Sequence, residues 1–349
     1  MNKVDFGHRV LVLRMGSVLS LRLGVRPLVV AALLIGIAAV AVWLGLTTGE
    51  FEVSTDEVLA ALGGDGPRAV RLVVVQWRLP RILLALILGA ALGLSGGIFQ
   101  ALTKNPLGSP DVIGFNVGAY SGVLVSMAAI GTGYPEKVAG ALVGGLATAA
   151  AVYLFAYRRG VQGFRLIIVG IAISAVLASV NQWFIMKFRL SAALAAATWY
   201  QGSLNKLGWD QVWPALVVIG LLGAVLIGMG PRLRMLELGD DAAAALGVGV
   251  EQARAGYLVV GVALGAAATA TAGPIAFVAL AAPQVGRWLV RSAGISLTAS
   301  ATTGAVLLAV SDWLAQRLFM PTQLPVGVIT VSFGGAYLVW LLVRQARMS

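Results

Sequence analysis

Three arginines in this chain have types and spacing that could serve to bind an anion. Arg78 and Arg81 are three residues apart, so a helix would carry both guanidinium groups on one face. Arg317 stands just ahead of a proline-containing stretch, MPTQLP. A group of cations of this kind attracts an anionic solute or an acidic protein surface. In the alternative interpretation, each arginine only anchors the end of an apolar helix, with its charged head in water.

The acidic residues offer two further candidates. Asp312 lies inside an apolar stretch, where a carboxylate is costly to bury and marks either a transport function or a hydrogen-bonded structural position. Asp240 and Asp241 are adjacent in a polar stretch, Leu233–Arg254, which separates two apolar blocks and is called the polar loop below. A carrier driven by protons would be expected to hold several acids like Asp312, so an external energy source is favoured.

Sequence motifs for catalysis are missing. The chain contains no GxxxxGK[ST] phosphate loop, no HExxH motif and no GxSxG motif. It has no Cys, and its single His is His8, close to the N-terminus. We therefore expect no catalytic residue, no resident metal and no cofactor in this chain.

The composition indicates an integral membrane protein. Of 349 residues, 59% are apolar and 11% are charged, whereas soluble domains have about 25% charged residues. Apolar runs of about 20 residues, the length of one membrane-spanning helix, recur along the chain, and the alternating pattern of barrel strands is absent. The net charge of +11 comes from basic residues that stand singly or in pairs beside these runs, a pattern of membrane topology and not of nucleic-acid binding.

The apolar runs predict about ten membrane-spanning helices in an all-α fold. Their approximate ranges are 27–46, 78–102, 112–130, 138–157, 165–187, 211–229, 256–272, 274–290, 297–318 and 326–343. The basic residues of segment 1–26 predict a cytoplasmic N-terminal tail, and an even number of spans returns the C-terminus to the cytoplasm. We expect residues 27–349 to form a single transmembrane domain.

The polar loop has room for structure of its own. Asp240 and Asp241 are placed to cap a short helix over Ala242–Leu246, and Gly247 is suited to end that helix. Because an even number of predicted spans precedes the loop, it is expected in the cytoplasm. A short helix held in water between spans is a docking element for a partner. Alternatively, its two acids themselves pair with basic residues of that partner.

Glycine spacing predicts close helix packing. Gly89, Gly93 and Gly97 stand four apart, the GxxxG spacing that lets two helices approach closely, although the same face could instead line a pathway. Leu88–Gly97 also matches Leu264–Gly273 at five of ten positions. This similarity is compatible with two inverted halves related about the polar loop, and equally with chance in Gly/Ala-rich sequence.

Several motifs resemble those of FecCD-type permeases, the membrane subunits of bacterial importers for iron-siderophores, haem and cobalamin. The resemblance is carried by Arg78–Gly122, by LELGDDAAAALGV in the polar loop, by Ala272–Arg287 and by QLPVGVITVSFGGAYLVWLL from Gln323. Other stretches, among them NPLGSPDVIGFNVGAYSGVLV and GSLNKLGW, are similar to the branch for ferric enterobactin and related catecholate siderophores.

The resemblance implies an assembly as well as a fold. It implies a type II ABC importer, in which two permeases of about ten helices each form a dimer around a central pathway. Two ATPase subunits, which would bind ATP and Mg²⁺, contact the dimer from the cytoplasm. A periplasmic or lipid-anchored siderophore-binding protein delivers the ligand from outside. The enterobactin-type branch favours pairing with a different, homologous permease over a homodimer.

The resemblance also implies roles for individual residues. The ATPase contact in the family is the loop between the sixth and seventh helices, which here contains Leu236, Glu237, Leu238, Gly239, Asp240, Asp241, Ala244, Leu246 and Gly247. Arginines that match Arg78, Arg81 and Arg317 face the binding protein. For the pathway, our candidates are Gly97, Gln100 and Asn116.

The resulting expectation is a permease subunit in the bacterial cytoplasmic (inner) membrane. It would move a ferric siderophore of the catecholate, enterobactin-like class by alternating access, without catalysing a covalent step itself. Two alternatives remain open. The same machinery could serve haem or cobalamin, or the chain could be an ATP-independent secondary carrier in which the polar loop is only a linker.

Overall fold

The computed structural model describes residues 10–15, 19–111, 114–156, 163–230 and 232–346. Residues 1–9 and 16–18 of the predicted tail lie outside the described residues. An antiparallel hairpin, which the sequence did not predict, is formed by β1, Val10–Met15, and β2, Leu19–Gly24. Every other regular element of the described chain is helical.

Fifteen α-helices follow in the described chain. They are α1 Val25–Thr47, α2 Thr55–Leu62, α3 Arg68–Arg71, α4 Leu79–Thr103, α5 Phe115–Ala129, α6 Tyr134–Ala156, α7 Gly163–Lys187, α8 Leu190–Tyr200, α9 Trp209–Met229, α10 Arg232–Glu237, α11 Asp240–Ala245, α12 Val250–Ala272, α13 Val278–Val290, α14 Leu297–Arg317 and α15 Val326–Ala346. A helix at α8 was not predicted.

Seven helices in the described part of the chain are long and apolar enough to cross a membrane. Six of them are α1, α6, α7, α9, α12 and α14. The seventh is the continuous helix Arg68–Thr103, which contains α3 and α4. Two shorter apolar helices, Phe115–Ala129 and Val326–Tyr337 within α15, occupy two of the other three predicted spans, and the 13-residue helix α13 lies in the third. At a rise of about 1.5 Å per residue, a 13-residue helix such as α13 covers only about 20 Å of a bilayer core of about 30 Å.

The helix that contains α4 starts earlier than predicted. It begins at Arg68 and passes through a π-helical segment, Leu72–Arg78, before it continues as α4. Pro80, the second residue of α4, lacks the N–H of a regular turn. In the π-helical segment, the indole Nε1 of Trp209 donates a hydrogen bond of 2.9 Å to the carbonyl oxygen of Val75. A side chain of α9 thereby occupies a backbone acceptor in the irregular turn.

Helix α4 lies at the centre of the fold and packs against α12, α13 and α14. Its glycines permit this packing, since a Cβ on Gly89 would overlap the carbonyl oxygen of Gly304 in α14. A Cβ on Gly96 would likewise overlap the carbonyl oxygen of Ala279 in α13. Gly93 is as close to the α14 backbone. The predicted close packing at Gly89 and Gly93 is therefore confirmed.

The same kind of contact joins α5 to α6. Gly118 and Gly122 of α5 face Gly144 and Gly140 of α6, with no room for a Cβ at any of the four. Helix α12 contacts α4, α5 and α6, so it joins this pair to the central helices.

The chain between α12 and α13 is not helical. The sequence predicted that Gly273 alone would separate two spans, but α12 ends at Ala272 and α13 begins only at Val278. Gly273 and Phe277 have φ of +78° and +69°, which a right-handed helix cannot include. The backbone N–H of Ser203 donates to the carbonyl oxygen of Ala272 at 2.7 Å. A neighbouring loop therefore satisfies an acceptor that the broken helix leaves free.

The α4–α13 contact gives a stability prediction. Replacing Gly96 by Ala puts a methyl group into the Ala279 carbonyl, which is backbone and cannot rotate away. We expect a loss of about 3 kcal/mol or more, at the upper end for overpacking. The measurement is thermal stability of the detergent-solubilised protein by size-exclusion chromatography. The matched control is Gly220→Ala in α9, where no atom beyond the adjacent backbone of its own helix lies within 4 Å of the new Cβ. Equal stability of both variants would contradict the packing argument.

Candidate functional site

Arg81 of α4 and Asp312 of α14 form a buried ion pair. The Arg81 Nη2 and Nε atoms donate hydrogen bonds of 2.8 Å to Oδ1 and Oδ2 of Asp312. The side chains are 12% and 3% exposed. Gln316 Nε2 donates a further hydrogen bond of 2.9 Å to Asp312 Oδ2. Arg81 Nη1 donates to Gln323 Oε1 at 2.9 Å, which ties in the stretch before α15.

This geometry decides between the two interpretations of Asp312. A carboxylate that accepts two hydrogen bonds from one edge of a guanidinium, with an amide as an additional donor, has its charge compensated within the chain. Asp312 therefore has a structural position that joins α14 to α4. The resemblance implies that Arg81 contacts a binding protein. In the structure, all three guanidinium nitrogen atoms of Arg81 donate hydrogen bonds to Asp312 or Gln323.

Arg78 and Arg317 lie at the same end of the fold. Arg78 donates to the carbonyl oxygen of Leu46 at 2.6 Å and to that of Phe51, which fixes the connection from α1 to α2 against the start of α4. Its guanidinium and that of Arg317 are close enough for their charges to interact. For Arg317, the hydrogen bond recorded among the described residues is a weak one of 3.7 Å to Met320 Sδ. Arg317 is thus the least engaged of the three predicted arginines.

The polar loop folds into α10, α11 and the first turn of α12. The short helix was predicted, but the prediction that Asp240 and Asp241 cap it was wrong, because the N-cap residue is Gly239 and no side chain caps the helix. Asp240 and Asp241 are instead the first two residues of α11. Gly239 has a φ of +118°, a conformation that favours glycine, so the turn into the helix depends on the backbone. Gly247, with a φ of +81°, follows the helix as predicted.

Two acids tie the polar loop to the rest of the protein. Glu237 Oε1 accepts a hydrogen bond of 2.9 Å from the backbone N–H of Ile295, in the connection between α13 and α14. Asp240 accepts from Arg254 Nη2 at 2.8 Å and thus pairs with α12. Leu236 is buried beneath the loop. The predicted contact residues that remain exposed are Leu238, Asp240, Asp241, Ala244, Leu246 and Gly247.

The sequence of this chain is similar to those of known transport proteins. The sequence matches the FecCD transport family over residues 37–344. The chain belongs to this family. It is 49% identical to the ferric enterobactin transport system permease protein FepG of Escherichia coli K12, over 92% of this chain and 98% of that protein. It is 34% identical to the achromobactin transport system permease protein CbrC of Dickeya dadantii, over 90% of each chain.

Solved structures agree on the fold of this FecCD protein. A metal-chelate type ABC transporter in an inward-facing conformation superimposes with a TM-score of 0.78 and 25% identity, covering 91% of this chain and 99% of that chain. PsaBC from Streptococcus pneumoniae gives a TM-score of 0.54 at 16% identity, covering 82% and 94%, a likeness of fold alone. The expected FecCD resemblance is confirmed, and the protein is a multi-pass membrane transport subunit.

The three candidate pathway residues of this FecCD chain lie in the interior. Gly97 packs on the start of α14, where a Cβ would contact Ser300, and Gln100 donates to the carbonyl oxygen of Leu280 at 2.9 Å. Asn116 is bonded to two neighbours that sequence reasoning missed. Its Nδ2 donates to Asp111 at 2.7 Å, and its Oδ1 accepts from Thr269 at 3.2 Å. Asp111 lies five residues before Asn116 in SPDVIGFN, so the sequence could have predicted this contact. Thr269 is 153 residues from Asn116, and only the fold brings the two together.

The Arg81–Asp312 pair can be measured by a double-mutant cycle. Arg81→Gln and Asp312→Asn each leave one uncompensated charge in a buried site, so each should cost about 3–5 kcal/mol. The double variant should be more stable than the sum of the two losses predicts, because neither charge remains. Thermal unfolding in one detergent provides the four stabilities. Additive losses would show that the two side chains do not interact in the membrane-extracted protein.

Proposed function

We propose that this chain is the permease subunit of an ABC importer that moves an iron(III)-catecholate siderophore across the bacterial cytoplasmic membrane. The observation that carries the proposal is the 49% identity to a ferric enterobactin permease over almost the whole of both chains. The match covers 92% of this chain and 98% of that protein, so it is not confined to one segment. The second relative named above also belongs to a siderophore system.

We propose a topology of ten spans, with segment 1–26 and the C-terminus in the cytoplasm and residues 27–349 as one transmembrane domain. Helices α5, α13 and α15 would complete the seven long apolar helices. Short helices are tolerated at membrane depth where protein covers the adjoining irregular backbone. The bond from Ser203 to Ala272 beside the α12–α13 break is a contact of that kind.

The polar loop is the proposed contact for one of the two ATPase subunits of the assembly, and these subunits bind ATP and Mg²⁺ in place of this chain. Its exposed side includes Leu238, 70% exposed, and Leu246, 59% exposed, apolar side chains that contact with a partner would cover. Glu237 connects this loop to α14, which also holds the Arg81–Asp312 pair. A push on the loop is therefore transmitted to helices that reach the opposite face, as alternating access requires.

The opposite face is the proposed dock for a siderophore-binding protein with acidic surface groups. Arg317 and Arg78 supply the cations, while Arg81 positions the stretch before α15 through Gln323. The same cations would raise the local concentration of an anionic ferric chelate.

A second, homologous permease completes the proposed assembly. Helix α7 exposes the side-chain amide of Gln182 among apolar side chains near the end of a span, whereas the Oγ of the nearby Ser179 already donates to the carbonyl oxygen of Ala175. We propose that this face of α7 meets the second permease or the pathway between the two. Gln100 and Asn116, buried in the single subunit, would be reached by cargo only when neighbouring helices separate.

The cargo is tested by reconstitution. The chain, its homologous permease, the ATPase and the binding protein are placed in liposomes, and uptake of radiolabelled ferric catecholate is measured with and without ATP. We expect uptake only with ATP and the binding protein. Uptake of haem or cobalamin in its place would overturn the catecholate assignment, and transport without ATPase would support an ATP-independent carrier.

The docking surface gives a second prediction. Leu246→Asp places a charge where an apolar partner surface is expected, so ATPase affinity should fall about tenfold or more. Binding of the purified ATPase to the permease in nanodiscs is the measurement. Leu59→Asp in α2, an equally exposed leucine far from the loop in sequence, is the matched control and should bind the ATPase normally. Similar affinities for both variants would contradict the docking assignment.

The outer arginines give a third prediction. Arg317→Gln should slow association of the binding protein several-fold and weaken the dependence of that rate on salt, as expected for charges at an interface rim. Stopped-flow association at two ionic strengths measures both effects. Arg232→Gln removes an exposed positive charge at the start of α10, on the polar-loop side of the protein, and should leave the rate unchanged. If the control slows as much as Arg317→Gln, general charge attraction explains the effect.

A further inference from the structure

A large cavity opens beside the polar loop. It has a volume of about 730 Å³ and lies between the end of α4, α10 and the connection from α13 to α14. Three cationic side chains line it, those of Lys104, Arg234 and Arg287, together with a single carboxylate, that of Glu237. The cavity is therefore predominantly positive.

The charges of this cavity lack compensation within the described residues. None of the three cations forms a salt bridge there, and the hydrogen bond recorded for Arg287 is a long one of 3.4 Å to Gln284 Oε1. Glu237 is occupied by its bond to the backbone of Ile295. Like charges around one space repel each other, and an anion that entered the space would relieve that repulsion.

The wall of the cavity is already built. Gln100 donates to the Leu280 carbonyl at 2.9 Å, and Gln284 donates to Gln100 Oε1. This chain of bonds holds the polar side chains at the base of the cavity in place without any ligand. A site with fixed walls loses little conformational entropy when a ligand binds.

We propose that the cavity is a second docking site for the ATPase subunit and receives a short acidic segment of that subunit. The inference rests on the proposed function for the existence of this partner. Glu237 and Leu238 line the cavity and also belong to the ATPase contact of the polar loop, so one partner surface covers both. A single carboxylate or a free phosphate would leave most of the volume empty, whereas a few residues with two acidic side chains would occupy it.

The test measures affinity of the purified ATPase for permease in nanodiscs at low and high salt. Arg234→Gln should weaken ATPase binding about fivefold. Adding Lys104→Gln to that variant should weaken binding by a further, similar factor. The wild type should lose more affinity at high salt than the double variant does, because fewer charge pairs remain to be screened. Arg165→Gln, a cation at the start of α7 that does not line the cavity, is the matched control and should bind normally.

The outcomes separate this inference from the proposed function. If the wild-type permease does not bind the ATPase, the proposed function fails. If the wild type binds and the double variant binds equally well, the acidic-segment site is overturned. The site is also overturned if the variants lose uptake with unchanged ATPase affinity, which assigns the cavity to cargo. A difference seen only in nanodiscs with anionic lipid overturns it too, in favour of a lipid headgroup.

The absence of cysteine allows a second measurement that does not depend on charge removal. Ser292→Cys introduces a unique thiol into the cavity lining. Saturating ATPase should slow its labelling by a small anionic thiol reagent at least tenfold. Thr322→Cys, exposed before α15, should label at the same rate with and without the ATPase. Unprotected labelling at position 292 would show that the cavity stays open in the complex.

Discussion

The backbone contact between α4 and α14 determines where the charged groups of this protein meet. The two helices are antiparallel and touch at Gly89 and Gly304, where neither has a side chain to keep them apart. Arg81 precedes Gly89 by eight residues, and Asp312 follows Gly304 by eight. Equal steps of about 12 Å along two antiparallel helices therefore bring these charges face to face. The ion pair is thus a consequence of glycine register, and it holds that register in turn.

The same helix connects the two ends of the molecule. Helix α14 carries Asp312 near its C-terminal end. In the connection before its first residue, the Ile295 N–H donates a hydrogen bond to Glu237 of the polar loop. With 21 residues, α14 spans about 31 Å. Because α4 packs along it with backbone contacts, α14 cannot bend independently. Motion at the polar loop is therefore expected to move the arginine end as a unit.

Sequence reasoning recovered what depends on local pattern and missed what depends on pairing across the chain. Apolar runs predicted the long helices, and GxxxG spacing predicted the contact at Gly89, because both signals lie within one helix. The partner of Asp312 is 231 residues away and could not be read from periodicity. Two acids before an alanine run were interpreted as caps, but Gly239 supplies the turn through its positive φ. The roles of Gly97, Gln100 and Asn116 in a pathway stay predictions.

The state of Asp312 bears on how such a protein can be driven. A carrier that uses a proton gradient needs a carboxylate that exchanges its proton with each side of the membrane in turn. Asp312 is 3% exposed and held by Arg81 and Gln316, so opening it to water would first break a bidentate ion pair. The cost of that step would recur in every transport cycle. An energy source outside this chain, applied to the exposed polar loop, leaves the pair intact and avoids the cost.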